Sequence, residues 1–498
     1  MNRERRQLIG SRADAGSRSA AELSPVTSLW SGTGAAVICT TVLASAVAAL
    51  GASVIRVAVP AIGRDLTASV AALQWTVTSY LLTTAALLLL VGALADRFGR
   101  KRMLLVGLLV TLAGSILCAI APTIEALIAA RLLQGVGGAL VTPTSLALLN
   151  ATLRVEDRAR AIGLWVGIET LLTSIGPYVG GWLVDQVSWR AIFLLNVPLI
   201  AICLVTLVWM PESRDGRPSF SLDLGGASLA VLGLGGVIWA LTSGPVSGWS
   251  TTPVLVAGVV GILALAGLFP LERRLQDPML RLSLFASRQF TAINLTTVLL
   301  YGALGAAGYL VTLQLQLRLG YSAAQAGAAL IPTTVMLLVM APISGALVAR
   351  TGPRWPMVAG IVALALAFVW ISAAQPGASY VESILPPAVL WGLGIGIAVT
   401  PLTAAVLAAV DDADLGEGSA INDAAARVGS VVVIALLPLL IGAGAAGNLG
   451  DALQHGYQPA MLAMGALTAL SAVIAGLFVS NQRATAPAVT PASEPATT

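Results

Sequence analysis

The chain is poor in the residues that do chemistry, with one histidine, three cysteines and only 10% charged residues among 498. The lone histidine, His455, reads as a solvated residue of a loop before the last apolar run. No Ser/His/Asp set for hydrolysis is therefore available. Cys39, Cys118 and Cys203 fall singly in apolar runs without Cys-x-x-Cys spacing, which argues against both a disulfide framework and a metal site. The chain has no G-x-x-x-x-G-K-[ST] stretch, so the phosphate cradle of an ATP-driven pump is missing. The glycine-spaced GLGIGI from Gly392 lies inside an apolar run and reads as helix packing. No enzyme, cofactor or metal is expected.

What is abundant is apolar length. The chain is 57% hydrophobic with a mean hydropathy of +0.89, outside the range of soluble globular proteins. A bilayer core about 30 Å thick takes about 20 apolar residues per helical span, and fourteen such runs can be counted, from 35–57 to 459–479. The expected class is an all-α polytopic membrane protein. The first 34 residues hold five arginines but no cleavable leader pattern, and read as a cytosolic arm; residues 481–498 read as a disordered cytosolic tail. With the N-terminus inside, inner segments collect 22 Lys and Arg. Outer segments hold three, Arg64, Arg190 and Arg318, while Arg56 and Arg131 fall within runs. That asymmetry predicts an even number of spans with both termini cytosolic. The pI near 9.2 then reports contact with anionic membrane lipids, with no nucleic-acid partner implied.

Two stretches recur at one offset. GALADRFGRKR, Gly92 to Arg102, is echoed by GALVARTGPR, Gly345 to Arg354, and LQGVGGALVTPTS from Leu133 by LWGLGIGIAVTPLT from Leu390. The period is eight runs, whereas parallel-repeat transporters are built from two halves of six. Two runs are therefore read as inserted. The expected organisation is a six-helix bundle over 35–210, a linker over 211–289 carrying two inserted helices at about 224–271, and a second six-helix bundle over 290–480. Substrate would bind near the midplane between the bundles.

GALADRFGRKR can be read directly. Gly92 permits close helix approach, Gly99 a turn and Asp96 a cap, while Arg97, Arg100, Lys101 and Arg102 suit an anionic surface or a latch to the other bundle. The stretch resembles the signature gate loop of the major facilitator superfamily. RLLQGVGGAL, Arg131 to Leu140, is similar to that superfamily's fourth-helix motif, whose arginine the resemblance associates with proton coupling. Arg131, Gln134, Gly135 and Gly138 share one helical face, so the charge looks away from lipid. GPYVGG, with Gly176, Pro177, Gly180 and Gly181, resembles the fifth-helix motif that marks antiporters. QWTVTSYLL from Gln74, SWRAIFLLNVP from Ser188 and LQLRLGYSAAQAGAALIP from Leu315 extend the likeness to the fourteen-helix drug:proton antiporter branch over about residues 35 to 480.

One departure stands out against that branch, whose first helix usually carries an aspartate and an asparagine in the pattern L-D-x-T-x-V-N-V-A-L-P. Aligned on Pro60, ALGASVIRVAVPAI has Gly51 in place of the acid and Arg56 in place of the asparagine. A charge near a membrane helix centre costs roughly 2.5 to 3.5 kcal/mol on an insertion scale, so Arg56 needs a reason. Glu169 is read as the carboxylate set well away from a helix end, seven residues before Gly176 and on the same face. It is the expected carrier of a transported proton. The expected coupling residues are Arg131 and Glu169, and the substrate pathway Arg56 and Gln134. A network joining Arg56, Arg131 and Glu169 is expected, against the alternative that Arg56 snorkels to headgroups.

The leading reading is a monomeric exporter of amphipathic small molecules such as antimicrobials, driven by the proton gradient, in the cell membrane. Two others stand beside it. Arg56 suits export of an anionic or lipid-like metabolite, and the loss at Gly51 suits a transporter-like receptor without coupling.

Overall fold

The computed structural model describes residues 27–213, 223–275, 278–411, 414–443 and 448–481. The expected arm up to residue 26, residues 214–222 of the linker and the tail from 482 lie outside the described residues. Each of the fourteen apolar runs is helical. The chain order is α1 Gly32–Ser53, α2 Ile55–Asp65, α3 Val70–Phe98, α4 Arg100–Ala119, α5 Ile124–Thr152, α6 Val155–Gln186, α7 Ala191–Leu194 and α8 Asn196–Leu207. It continues with α9 Leu224–Ser247, α10 Thr252–Glu272, α11 Arg288–Leu317, α12 Ala323–Ala329 and α13 Ile331–Thr351. The last are α14 Arg354–Ile371, α15 Leu385–Leu407, α16 Leu415–Ala435, α17 Leu437–Leu440 and α18 Leu449–Phe478.

Twelve helices among the described residues are long and apolar enough to cross a membrane. The run over Ala191–Leu207 is a shorter apolar helix, and α3, 29 residues long, is not one of the twelve. Local sequence explains many starts. Ser31, Ser69, Thr123, Ser287 and Asn448 each accept a backbone N–H of the first turn, satisfying donors that have no partner within the helix. Ser322 and Gln325 form a reciprocal capping box on α12.

The same neighbours recur in two groups. In the first, α1 packs on α6 and α8, α4 on α5 and α8, and α3 on α5; in the second, α11 packs on α16 and α18, α14 on α15 and α18, and α13 on α15. The two broadest contacts that cross between the groups are α3 with α16 and α6 with α12, and exchanging the halves turns one into the other. Helices α9 and α10 pair with each other. They reach the rest mainly through α9, which lies on α3, α16 and α17, with Trp239 against Trp75 at 5.5 Å between ring centroids.

The pseudo-symmetry extends to the turns. Gly99 and Gly352 both adopt positive φ, +102° and +80°, which costs a residue with a Cβ free energy. A Cβ on Gly99 would stand 2.7 Å from a Glu212 oxygen, and one on Gly352 2.9 Å from Asn481 Cγ. Glu212 accepts the Lys101 N–H at 3.0 Å, and Asn481 the Arg354 N–H at 3.2 Å. Each half thus caps its third helix with a side chain that follows its sixth.

Several expectations change here. Helix α2 continues to Asp65, so Arg56 is nine residues, about 13 Å by helical rise, from the end of the helix and does not snorkel out. Helix α16 begins at Leu415, although its first turns carry Asn422, Asp423 and Arg427 and are too polar for a hydropathy count to include. Arg427 thus joins Arg56 and Arg131 well inside a helix, and Asp423 joins Glu169 as an acid there. His455 lies in α18 and is exposed.

Candidate functional site

The two bundles meet at the face opposite the gate loop and part toward it. At the closed face the fifth-helix motif forms the joint. A Cβ on Gly181 would overlap the Ala323 carbonyl, and one on Gly327 would overlap the Pro177 carbonyl, so α6 and α12 touch backbone to backbone. Gly176 and Gly180 face the other way and receive Leu50 and Val54 of the first helix. Asp185 accepts the N–H groups of Ala323 at 3.1 Å and Ala324 at 2.9 Å, capping a helix of the other bundle. Gln316 donates to the Val57 carbonyl at 3.1 Å, and Gln74 to that of Ile434. Beside this joint Asp65 accepts from Arg190 at 2.6 Å and from Trp189 at 2.9 Å; Arg190 first and Trp189 second hold its carboxyl below the usual range.

The Asp185 cap gives a direct prediction. A capping side chain is worth about 0.5–2 kcal/mol, so Asp185→Ala should shift the ratio of closed to open forms at this face by roughly 2- to 30-fold. Spin-label distances between the ends of α6 and α12 check it. An unchanged distribution would show that the cap contributes nothing to closure.

Toward the gate loop, residues of the same helices lie free. Gly163 and Gly167 of α6 have nothing within 4 Å of where a Cβ would be, and Ser344 is the buried residue of α13. Gly92, expected at a close helix approach, also faces open space, because the bundles have separated there. The loop is tied to its own bundle by the Arg100 N–H to the Ser213 carbonyl at 2.9 Å, by Lys101 Nζ to the Met210 carbonyl at 2.6 Å, and by Arg102 to Glu212 at 3.7 Å. Arg97 is exposed and lies over the Phe98 ring, and the Asp96 side chain lies outside the described residues.

At the top of the crevice, under the closed joint, is a cavity of about 480 Å³ between α2 and α6 of one bundle and α11, α13, α15 and α16 of the other. Arg56 lines it, reaching across until its Nη1 stands 2.9 Å from where a Cβ of Gly308 would be. Pro60 lacks the N–H that would bond the Arg56 carbonyl, which loosens the helix here. A larger groove of about 790 Å³ runs along the outer side of α14 and α18 beside Trp355, Leu366 and Leu477; its apolar lining and outward position suit lipid tails.

Arg131 and Gln134 do not face the cavity. Both are fully buried in the first bundle, where Arg131 donates to the Thr76 carbonyl at 2.9 Å and to Gln134, and Gln134 donates to Ser115 at 2.8 Å. Gln134, expected in the substrate pathway, is thus not part of this cavity wall. The Arg131 guanidinium also lies over the Tyr80 ring, 4.5 Å from its centre. Tyr80 packs beside the position of the missing acid: its hydroxyl donates to the Ala48 carbonyl at 2.6 Å, and a Cβ on Gly51 would press its ring at 3.3 Å.

The expected network of Arg56, Arg131 and Glu169 is not formed. The charges that bear on Glu169 are those of Arg427 and Asp423 on α16. Arg427 also bears on Tyr80, and it makes no hydrogen bond or ion pair among the described residues. Glu169 stands one turn below Thr173 of the cavity wall, as Arg427 stands one turn below Ser430, so this charge set flanks the cavity mouth across the open crevice. Sequence reasoning missed Arg427 and Asp423, although their four-residue spacing on a polar helical stretch was a usable signal.

The Major Facilitator Superfamily model matches residues 41–434 and 293–498. The Multidrug resistance protein Stp of Mycobacterium tuberculosis is 34% identical over 408 residues, covering 82% of this chain and 75% of that one. The Methylenomycin A resistance protein of Bacillus subtilis is 33% identical over 466 residues, 92% of this chain and 97% of that one. The Tetracenomycin C resistance and export protein of Streptomyces glaucescens is 32% identical over 421 residues, covering 83% and 76%. Among solved structures, a D-xylose-proton symporter superposes with a TM-score of 0.66 at 15% identity, covering 91% of this chain and 99% of that one, a likeness of fold alone. With two six-helix groups around a central cavity and relatives of this kind, the chain is a multi-pass membrane protein that belongs to the major facilitator superfamily, among its drug-resistance transporters.

Proposed function

We propose that the protein exports amphipathic small molecules of the drug and antibiotic class by alternating access, driven by proton entry, as a monomer in the cell membrane. In this reading fourteen helices span the bilayer, both termini and the gate loop are cytosolic, and the form described is open inward and closed outward. The observation that carries it is a cavity between two pseudo-symmetric bundles, sealed at one face and open at the other. The resistance and export functions in the relatives' names support drug export over a dedicated metabolite carrier or a receptor. Glu169 is the proton carrier in this reading and Arg427 its switchable partner. When ionised, Glu169 attracts Arg427 across the crevice and favours closing the inner side; when protonated, it loses that attraction and the inner side reopens. That order is the one antiport requires, since the proton leaves inside before substrate departs outward.

The test is transport in proteoliposomes under an imposed pH gradient with a panel of amphipathic substrates. Movement against the substrate gradient that collapses with a protonophore is expected. Transport indifferent to the proton gradient would overturn the coupling, and none with any substrate would overturn the exporter reading.

A further inference from the structure

We propose that the cavity is built for an acidic amphiphile, whose carboxylate or other anionic group is received by the fork of Arg56. The proposal rests on the exporter reading and names the class of molecule its cavity takes. Arg56 is the one charged residue in the cavity wall. Among the described residues it makes no hydrogen bond or ion pair, and its Nε is buried without an acceptor. The ionisable group that bears on it is the Tyr309 phenol, while Glu169 and Asp423 act on Arg427 toward the mouth. A guanidinium so withdrawn from water and left unpaired is costly, and an anion supplied by the ligand relieves that cost with two parallel N–H···O bonds.

The rest of the wall fits the same molecule. Ser53, Thr312 and Ser430 already donate their hydroxyl protons to the carbonyls of Ala49, Gly308 and Tyr301 at 3.0, 2.8 and 2.9 Å. Arg56 is then the charged donor of the wall, beside the Thr173, Thr334 and Tyr301 hydroxyls. Leu304, Leu330, Ile395 and Trp391 provide the apolar remainder, with Trp391 held edge-on to Phe368 at 4.8 Å. A cationic amphiphile would meet a like charge here and no acid in the wall. The opening at Gly308 is part of the fit, because a side chain there would displace the fork.

The experiment compares a carboxylate-bearing fluorescent amphiphile with its methyl ester in proteoliposomes of phosphatidylcholine under a pH gradient. The expected result is a lower KM for the acid. Arg56→Asn should raise the acid's KM by about 10- to 150-fold, the range of a charge-assisted hydrogen bond, and leave the ester unchanged, while Arg56→Lys should recover part of the loss. Equal KM values for acid and ester in the wild type, or an equal effect of Arg56→Asn on both, would overturn the proposal. Equilibrium binding of both compounds to the purified protein decides the matter independently of transport. If neither is transported but the acid binds more tightly in an Arg56-dependent way, the exporter reading falls and the anion site stands; equal binding overturns the site. Repeating the binding with phosphatidylglycerol present separates the sources of the anion. Arg56-dependent protection by that lipid without any by the soluble acid would assign the fork to a headgroup and overturn the substrate proposal.

Discussion

Replacing Gly181 by alanine should slow cycling and bias the protein toward the form open on its outer face. The residue sits where α6 meets α12 with no side chain between them, and a Cβ would overlap the Ala323 carbonyl and stand 2.6 Å from the Ala324 nitrogen. These are backbone atoms at the start of a capped helix, so they cannot swing aside as a flexible side chain would. The overlap also falls on the two N–H groups that Asp185 caps. Overpacking of this kind costs about 1–3 kcal/mol, and here the cost is borne only by the state in which the outer face is shut. The ratio of open to shut forms should therefore rise by roughly 5- to 150-fold. A cysteine introduced at Thr312, under the seal, should become reactive to a membrane-impermeant maleimide applied outside. Gly163→Ala, where a Cβ meets nothing within 4 Å, is the matched control and should behave as wild type. Wild-type transport and labelling in Gly181→Ala would show that the joint is not the outer gate.

Much of this architecture could be read from the chain, and the part that could not has a physical cause. Apolar length reports lipid contact, so the helical runs and their duplicated turns at Gly99 and Gly352 were legible from composition and offset. Charge inside a run was legible too, which is how Arg56, Arg131 and Glu169 came to notice. What a single chain does not encode openly is which partner each charge faces. Arg56 turns to α11 and the cavity, Arg131 stays within its own bundle under Tyr80, and Glu169 looks across the crevice to α16. These choices depend on helix rotation and on contacts from about fifty to more than two hundred residues apart. Hydropathy counting also fails where function makes a helix polar: the first turns of α16 read as loop because they carry Asn422, Asp423 and Arg427. The lost acid at Gly51 was legible as a departure, but its surroundings were not: the Tyr80 ring packs beside Gly51 from a different helix.

Glu169→Gln should uncouple transport from the proton gradient while sparing exchange. The amide keeps the shape of the side chain and its place one turn below the cavity wall, yet it neither binds a transported proton nor attracts Arg427 as a charge. Coupling free energies between two ligands of a transporter are typically 1–3 kcal/mol, a factor of about 5 to 150, and the gradient-driven rate should fall by that order toward the rate without a gradient. Exchange of labelled for unlabelled substrate needs no net proton movement, so it should persist. The split between the two assays separates a lost carrier from a damaged fold, which would depress both. Asp423→Asn provides the internal comparison, because Asp423 also bears on Arg427 but belongs to the same helix. Its attraction for Arg427 acts within α16 and does not draw the bundles together. Its removal should leave Arg427 freer to meet Glu169 and should retain the response to the gradient. If Asp423→Asn abolishes that response and Glu169→Gln does not, the transported proton rides on the second bundle, and the cross-crevice attraction plays no part in ordering the cycle.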